Sequence, residues 1–369
     1  MNFLDRLTKL QNILNYDGVD LLIVEDPTDL YYMTGLQLSA GKLLVDQQKA
    51  TLFVDGRYRE MCAKHSPYPV CPVDKASLIS WLGMPENNYI NFIGFDTSKT
   101  TYKKFLEWEE ILLKSSDIES KTSKMSLKPI DSPISPLRLI KEKEEIECLK
   151  KAGLLGSLGF DLVCSHLKEG VTEQEIAAEL EIFWKRQGGQ GLAFESIIAF
   201  GTNSSMPHYR PKDVPLVKGD PVLIDIGVKL YNYHSDMTRT VFFGKPSEKM
   251  LTIYDVVLEA QLKSLEICRP GTLIKELDKA ARDHIISKGF GEYFSHNLGH
   301  GVGLEIHESP TISQTAADAD KALEEGMVIT IEPGIYLPDI GGVRIEDTIV
   351  ITASGYENIT QRSKELVVI

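Results

Sequence analysis

Four acidic residues stand within stretches whose composition is that of buried strands, and nothing else in the sequence limits its folding as strongly. The run PVLIDIGVKLYNYHSDMTRTVFF, residues 221–243, carries Asp225 and Asp236. The run MVITIEPGIYLPDIGGVRIEDTIVI, residues 327–351, carries Glu332 and Glu346. A carboxylate among valines and isoleucines is costly to bury unless it is paired, hydrogen-bonded or bound to a cation. A chain reversal near Leu230 and Tyr231 makes the first run an antiparallel hairpin whose two acids face each other. In the second run Pro338, Gly341 and Gly342 mark the turn, with Glu332 and Glu346 on opposite arms. An outward, solvated position would account for one such acid, but not for four at paired spacing.

Between these hairpins, residues 296–308 read HNLGHGVGLEIHE and hold three of the chain's eight histidines, His296, His300 and His307. Gly299, Gly301 and Gly303 let the backbone pass close to its surroundings, and imidazole is both a common metal ligand and the side chain most easily set to proton work near neutral pH. Four carboxylates with a histidine form an oxygen-rich donor set, suited to manganese, cobalt or iron better than a thiolate zinc site would be, with zinc itself a further option. Four acids exceed what one catalytic ion needs. The expectation is therefore two divalent ions that share carboxylates and hold a hydroxide between them.

Composition narrows the function classes. A formal net charge of -13, with no block rich in lysine and arginine, argues against nucleic acid and anionic membrane as partners. No run of about 18 apolar residues is present, so no ordinary transmembrane helix is expected. The first residues, MNFLDRLTKLQNIL, lack the apolar core and cleavage site of a signal peptide. Cys62, Cys71, Cys148, Cys164 and Cys268 are odd in number and scattered, which fits a reducing cytoplasm.

A chain of 369 residues predicts two domains. Strands and helices alternate over the first 115 residues or so: a helix over 3–16, a strand at 20–24, a hairpin turning at Asp46 to Lys49, helices near 56–65 and 77–82, the strand NFIGFD and an amphipathic helix over 101–113. The segment LKPIDSPISPLR reads as a linker. After it come a long helix, KEKEEIECLKKAGLLGSLGFDLVCSHL, and a second one with Thr172 and Glu175 as a capping box. The strand LAFESIIAF leads into a loop carrying His208, two more helices follow the first acidic hairpin, and KELVVI is expected as a last strand. Each half of this region is thus a helix pair joined to an acidic hairpin, which predicts internal twofold symmetry with the site between the halves.

The segments PHYRP, DIGVKLYNYHSDMTRT, HNLGHGVGLEIHE, EPGIY and VRIED together resemble the site motifs of the pita-bread metallopeptidases, and specifically of the Xaa-Pro peptidases. PTDLYYMTGL and FVDGRYRE resemble parts of that family's non-catalytic amino-terminal domain. The resemblance implies an α/β (α+β) chain: a creatinase-like domain over residues 1–130 and a pita-bread catalytic domain with pseudo-twofold symmetry over 131–369. It also implies that Asp225, Asp236, His300, Glu332 and Glu346 hold two ions, manganese most often. Asp236 and Glu346 would bridge them, Asp225 would bind one, and His300 with Glu332 the other.

On that reading Glu332 takes and returns a proton, and His307 serves the oxyanion or the leaving nitrogen. His296 and His208 surround the substrate, and Tyr336 adds a polar contact. Arg344 holds a ligand acid or closes the pocket. The expected activity is removal of an amino-terminal residue that precedes proline, by a cytoplasmic homodimer whose amino-terminal domain helps build the assembly and covers the site. The alternative is a strict Xaa-Pro dipeptidase. Relatives of that kind often carry an arginine just after the HE segment, where this chain has HESPTIS with Thr311, and on that ground the aminopeptidase is preferred. Methionine aminopeptidases share the ligand set but usually lack such an amino-terminal domain. Creatine hydrolysis on this fold needs no metal, and an inactive peptide-binding module would have lost ligands, whereas none is missing here.

Overall fold

A computed structural model describes residues 1–116 and 124–369. Two compact units emerge, Met1–Arg138 and Leu139–Ile369.

The first unit is a six-stranded mixed sheet. Its central strand, Leu21–Val24, is buried along its whole length and pairs antiparallel with Lys42–Asp46 and parallel with Phe92–Asp96. Continuous apolar runs of this kind are what a strand covered on both faces requires. The helix over Phe3–Tyr16 is present as expected. A helix over Pro27–Thr34 was not anticipated as an element. Its signals are local all the same: Asp26 caps the amino end through the amides of Thr28 and Asp29, Pro27 sits in the first turn, and Gly35 ends the helix at φ 71°.

The proline-rich segment read as a linker is structured. Ser126–Ile130 adds to the sheet beside Phe92–Asp96, and Pro129 is tolerated because this is the edge strand. The buried Arg138 then donates to Asp29 at 3.0 Å, so the unit closes at 138 rather than at 130.

The second unit has two helix pairs. Lys143–His166 packs on Glu173–Arg186, and Glu248–Glu266 packs on Ile274–Ser287. The capping box at Thr172 forms as the sequence indicates, with Glu175 reaching back to the Thr172 amide at 2.9 Å. Each pair covers its own apolar core, one around Trp184, Ile224 and Val241, the other around Tyr254, Ile329 and Ile349. The strands between them form the pita-bread arrangement, in which the sheet Ile197–Phe200, Pro221–Ile226, Met237–Phe242 meets the sheet containing Val328–Ile331 and Asp347–Thr352. The last residues do not form a strand, since KELVVI contributes only an isolated bridge between Val368 and Phe242. Among the described residues no helix is long and apolar enough to cross a membrane, and all five cysteines are free.

Candidate metal centre and substrate cavity

In the first hairpin the ladder pairs Ile226 with Met237 and Asp225 with Thr238. The chain reverses at Tyr231 and Asn232, both at positive φ (52° and 68°), one residue later than expected. Asp225 and Asp236 are therefore not directly opposite. The offset is a two-residue step, which preserves the face, so both acids remain on one side of the sheet. The second hairpin holds its expected register. Ile331 pairs with Asp347 and Gly334 with Arg344, which sets Glu332 and Glu346 opposite each other in the gap between the two short ladders.

The hairpins are locked together just beneath the acids. Thr238 Oγ1 donates to Glu346 Oε2 at 2.7 Å, and the Glu346 amide donates to the Thr238 carbonyl at 3.0 Å. Arg239 donates to the Glu346 carbonyl and, at 2.6 Å, to the fully buried Asp347. These contacts fix the Glu346 backbone from the side away from the cavity.

His300 sits on the short strand Gly299–Gly301. A Cβ at Gly299 would lie 2.0 Å from the Thr330 carbonyl oxygen, so only glycine allows this strand to approach so closely. His300 Nδ1 donates to the Gly301 carbonyl at 3.1 Å, which leaves the Nε2 lone pair facing Asp236 Oδ2 at 3.5 Å and Glu332 Oε1 at 3.4 Å. Ligand atoms of Asp236, His300 and Glu346 all fall within 4.8 Å of one another.

The remaining two acids are placed differently. Glu332 reaches this group through His300 and accepts from Thr330 Oγ1 at 3.4 Å. Asp225 is held by Arg344, whose guanidinium donates to Asp225 Oδ2, to Thr238 Oγ1 at 3.1 Å and to Tyr336 Oη at 2.7 Å. His296 Nε2 accepts from the same Tyr336 hydroxyl at 2.9 Å. His307 packs edge-on against His300, ring centroids 4.3 Å apart.

The electrostatics call for added positive charge. Burial, reinforced by Glu346, Asp225 and Glu332, pushes the Asp236 carboxyl well above its usual range. Burial and the neighbouring Glu332 and Asp225 do the same to Glu346. Burial raises Glu332 to about 8 even with Arg344 opposing it. Desolvation lowers His300 to about 4 and His296 to about 3, so both rings are neutral acceptors near pH 7. The second oxygen of Asp225, Oδ1, is buried with no hydrogen-bond partner among the described residues. An orphaned carboxylate oxygen beside three further acids, balanced by the single guanidinium of Arg344, fits divalent cations and fits little else.

These groups form the floor of a cavity of about 460 Å³, also lined by Phe194, Glu195, Pro207, His208, Arg210 and Thr311. His208 comes from a loop whose anchor the sequence reading missed. The fully buried Glu173 accepts four hydrogen bonds, from the Phe200 amide (2.8 Å), Asn203 Nδ2 (3.0 Å), Tyr209 Oη (2.8 Å) and the Lys212 amide (3.0 Å). Its place in the first turn of Glu173–Arg186 also suits an anion. Tyr209 thereby points into the protein, while His208 and Arg210 on either side of it line the cavity.

Residues 147–353 match the model of metallopeptidase family M24. The chain belongs to this family. In the M24 peptidase a second match, over residues 6–140, is to the creatinase/prolidase amino-terminal domain. The Xaa-Pro dipeptidase of Pyrococcus furiosus is 39% identical over 363 residues, 98% of this chain and 99% of that protein. The structure of an Xaa-Pro dipeptidase from Bacillus anthracis superposes with a TM-score of 0.91 at 34% identity, covering 100% of both chains. An X-Pro aminopeptidase from Thermotoga maritima superposes with a TM-score of 0.86 at 32% identity, covering 97% of this chain and 100% of that one. The M24 peptidase is thus a metallohydrolase of the Xaa-Pro peptidase type, as the sequence motifs imply.

Proposed function

We propose that this M24 peptidase is an Xaa-Pro dipeptidase that works with two divalent ions, manganese as the expected metal. The observation that carries the metallopeptidase reading is the convergence of Asp236, His300 and Glu346 within 4.8 Å at the floor of a cavity. Asp225 and Glu332 complete the proposed ligand set. Support for the dipeptidase over the aminopeptidase comes from the relatives, since dipeptidases match over the whole chain at up to 39% identity. The preference for an aminopeptidase drawn from Thr311 gives way on that ground, although an aminopeptidase also stands among the similar structures.

Bound divalent ions lower the pKa of water toward neutrality and polarise a carbonyl, the chemistry that amide hydrolysis needs. The protein's own groups do the rest. With the cations bound the Glu332 carboxyl would be ionised, and its carboxylate can accept a proton from the attacking water and pass it toward the leaving nitrogen. His307, beside His300 on the cavity wall, donates to the oxygen that develops negative charge. Arg344 restrains Asp225 and, through Tyr336, aligns His296. His208 and His296 frame the proline ring. The nitrogen of the scissile bond in an Xaa-Pro substrate bears no hydrogen, so the site needs shape around the ring rather than an acceptor for that atom.

Hydrolysis of Ala-Pro compared with Ala-Pro-Ala, measured on the manganese-loaded enzyme, tests the reading. The dipeptide is expected to be preferred by roughly two orders of magnitude in kcat/KM, the scale of a charged recognition contact. Equal turnover of the tripeptide would return the assignment to an aminopeptidase.

A further inference from the structure

A dipeptide ending in proline differs from every longer peptide by a free α-carboxylate on the proline itself. A site that selects dipeptides must meet that charge with a fixed cation, because an unpaired carboxylate loses more on leaving water than shape alone returns. The permanent cations lining the cavity are Arg210 and Arg344. Arg344 is buried, and its Nε, Nη1 and Nη2 are committed to Thr238, Tyr336 and Asp225. Thr311, also on the wall, offers only a hydroxyl.

Arg210 stands differently. Its side chain is half exposed, and its Nε meets Glu195, itself a lining residue 64% exposed, at 2.6 Å. Its Nη1 has only a 3.4 Å contact with the Tyr209 carbonyl, and its Nη2 has no partner among the described residues. An exposed pair of this kind contributes little to stability, so exchanging Glu195 for a ligand carboxylate costs little. The position of Arg210, by contrast, is well defined. Glu173 grips the chain on both sides of it, through Tyr209 and the Lys212 amide, and the same grip sets His208 two residues away on the cavity wall.

We propose that Arg210 receives the prolyl α-carboxylate of the substrate, with Glu195 as the partner it holds while the site is empty. This rests on the dipeptidase reading. The guanidinium fork presents two parallel N–H donors to one carboxylate, a bidentate geometry that a lysine cannot reproduce. His208, on the same wall, then flanks the ring whose carboxylate Arg210 holds.

The test compares wild type with Arg210→Gln and Arg210→Lys in the manganese-loaded enzyme. Its readouts are hydrolysis of Ala-Pro and of its carboxamide, and competitive inhibition by L-proline and by prolinamide. For Arg210→Gln, KM for Ala-Pro and the inhibition constant of L-proline are expected to rise roughly 10- to 100-fold, the worth of a charged hydrogen-bond pair. The prolinamide constant should stay within about threefold, kcat should change little, and Arg210→Lys should recover part of the loss. A parallel loss toward proline and prolinamide would mean that Arg210 only holds the loop together, and unchanged proline inhibition would mean that the carboxylate binds elsewhere. Either result overturns the proposal. The wild-type dipeptide to tripeptide ratio decides the dipeptidase reading separately, because the proline to prolinamide ratio does not depend on it.

Discussion

Replacing Asp236 by asparagine should lower kcat/KM by about three orders of magnitude or more at saturating manganese, about 4 kcal/mol of lost transition-state stabilisation. Asparagine keeps the volume of the side chain, so packing around the strand that begins at Met237 is undisturbed. What it removes is a charge and one oxygen lone-pair site at the point where Asp236, His300 and Glu346 converge. The amide nitrogen would also present a donor to His300 Nε2, the atom left free by the bond from Nδ1 to the Gly301 carbonyl. In the metal-free protein the same substitution should stabilise as pH rises, because burial and the neighbouring Glu346, Asp225 and Glu332 oppose ionisation of Asp236 and a neutral amide escapes that cost. Steady-state kinetics together with thermal melting of metal-free protein checks both signs. A variant that retains more than a tenth of the activity would show that Asp236 holds no essential ion.

The second large effect is the pH dependence of the metal-free protein. Glu332 rises from 4.5 in the unfolded chain to about 8 in the folded one. A carboxyl raised on folding contributes stability that is present below the lower value and is lost as pH climbs through the higher one. His300 and His296 act in the opposite sense. Their values fall from 6.5 to about 4 and about 3, so they destabilise only as pH drops below 6.5. Between pH 6.5 and 8 these two histidines no longer oppose the acids, and the metal-free catalytic unit should lose roughly 2 kcal/mol from Glu332, with Asp236 and Glu346 adding to it. The catalytic unit should melt roughly 5 °C lower at pH 8 than at pH 6.5. Saturating manganese replaces the protons and should flatten the profile while raising it. Calorimetric scans with and without metal measure this directly. A metal-free melting temperature that is flat or rising over the same interval would mean that the acids are not buried together.

Much of this site was legible because its chemistry conflicts with its surroundings. Asp225, Asp236, Glu332 and Glu346 are polar residues in strands whose burial the neighbouring valines and isoleucines demand, and such conflicts cluster where function is. Twofold alternation carried the face assignment through an error in the turn: placing the reversal at Leu230 and Tyr231 rather than Tyr231 and Asn232 shifts the register by two residues and leaves the face unchanged. Arg344 could be placed near Glu346 by the same parity, but its partner Asp225 lies 119 positions away and no local pattern reveals it.

Glu173 was invisible for that reason too. In sequence it is one of several acids at the start of a helix, and its role depends on amides and a hydroxyl 27 to 39 residues downstream. Pro129 misled in the other direction, because a proline-rich run reads as a linker unless it is known to form a strand at a sheet edge. The helix over Pro27–Thr34, by contrast, carried its own capping signals and could have been read from them.

The most direct test of the metal centre is anomalous diffraction from crystals of the manganese-loaded protein. Two anomalous peaks per chain, lying among the side chains of Asp225, Asp236, His300, Glu332 and Glu346, are predicted. A map with no peak among those five residues, or with manganese bound only elsewhere on the chain, would contradict it.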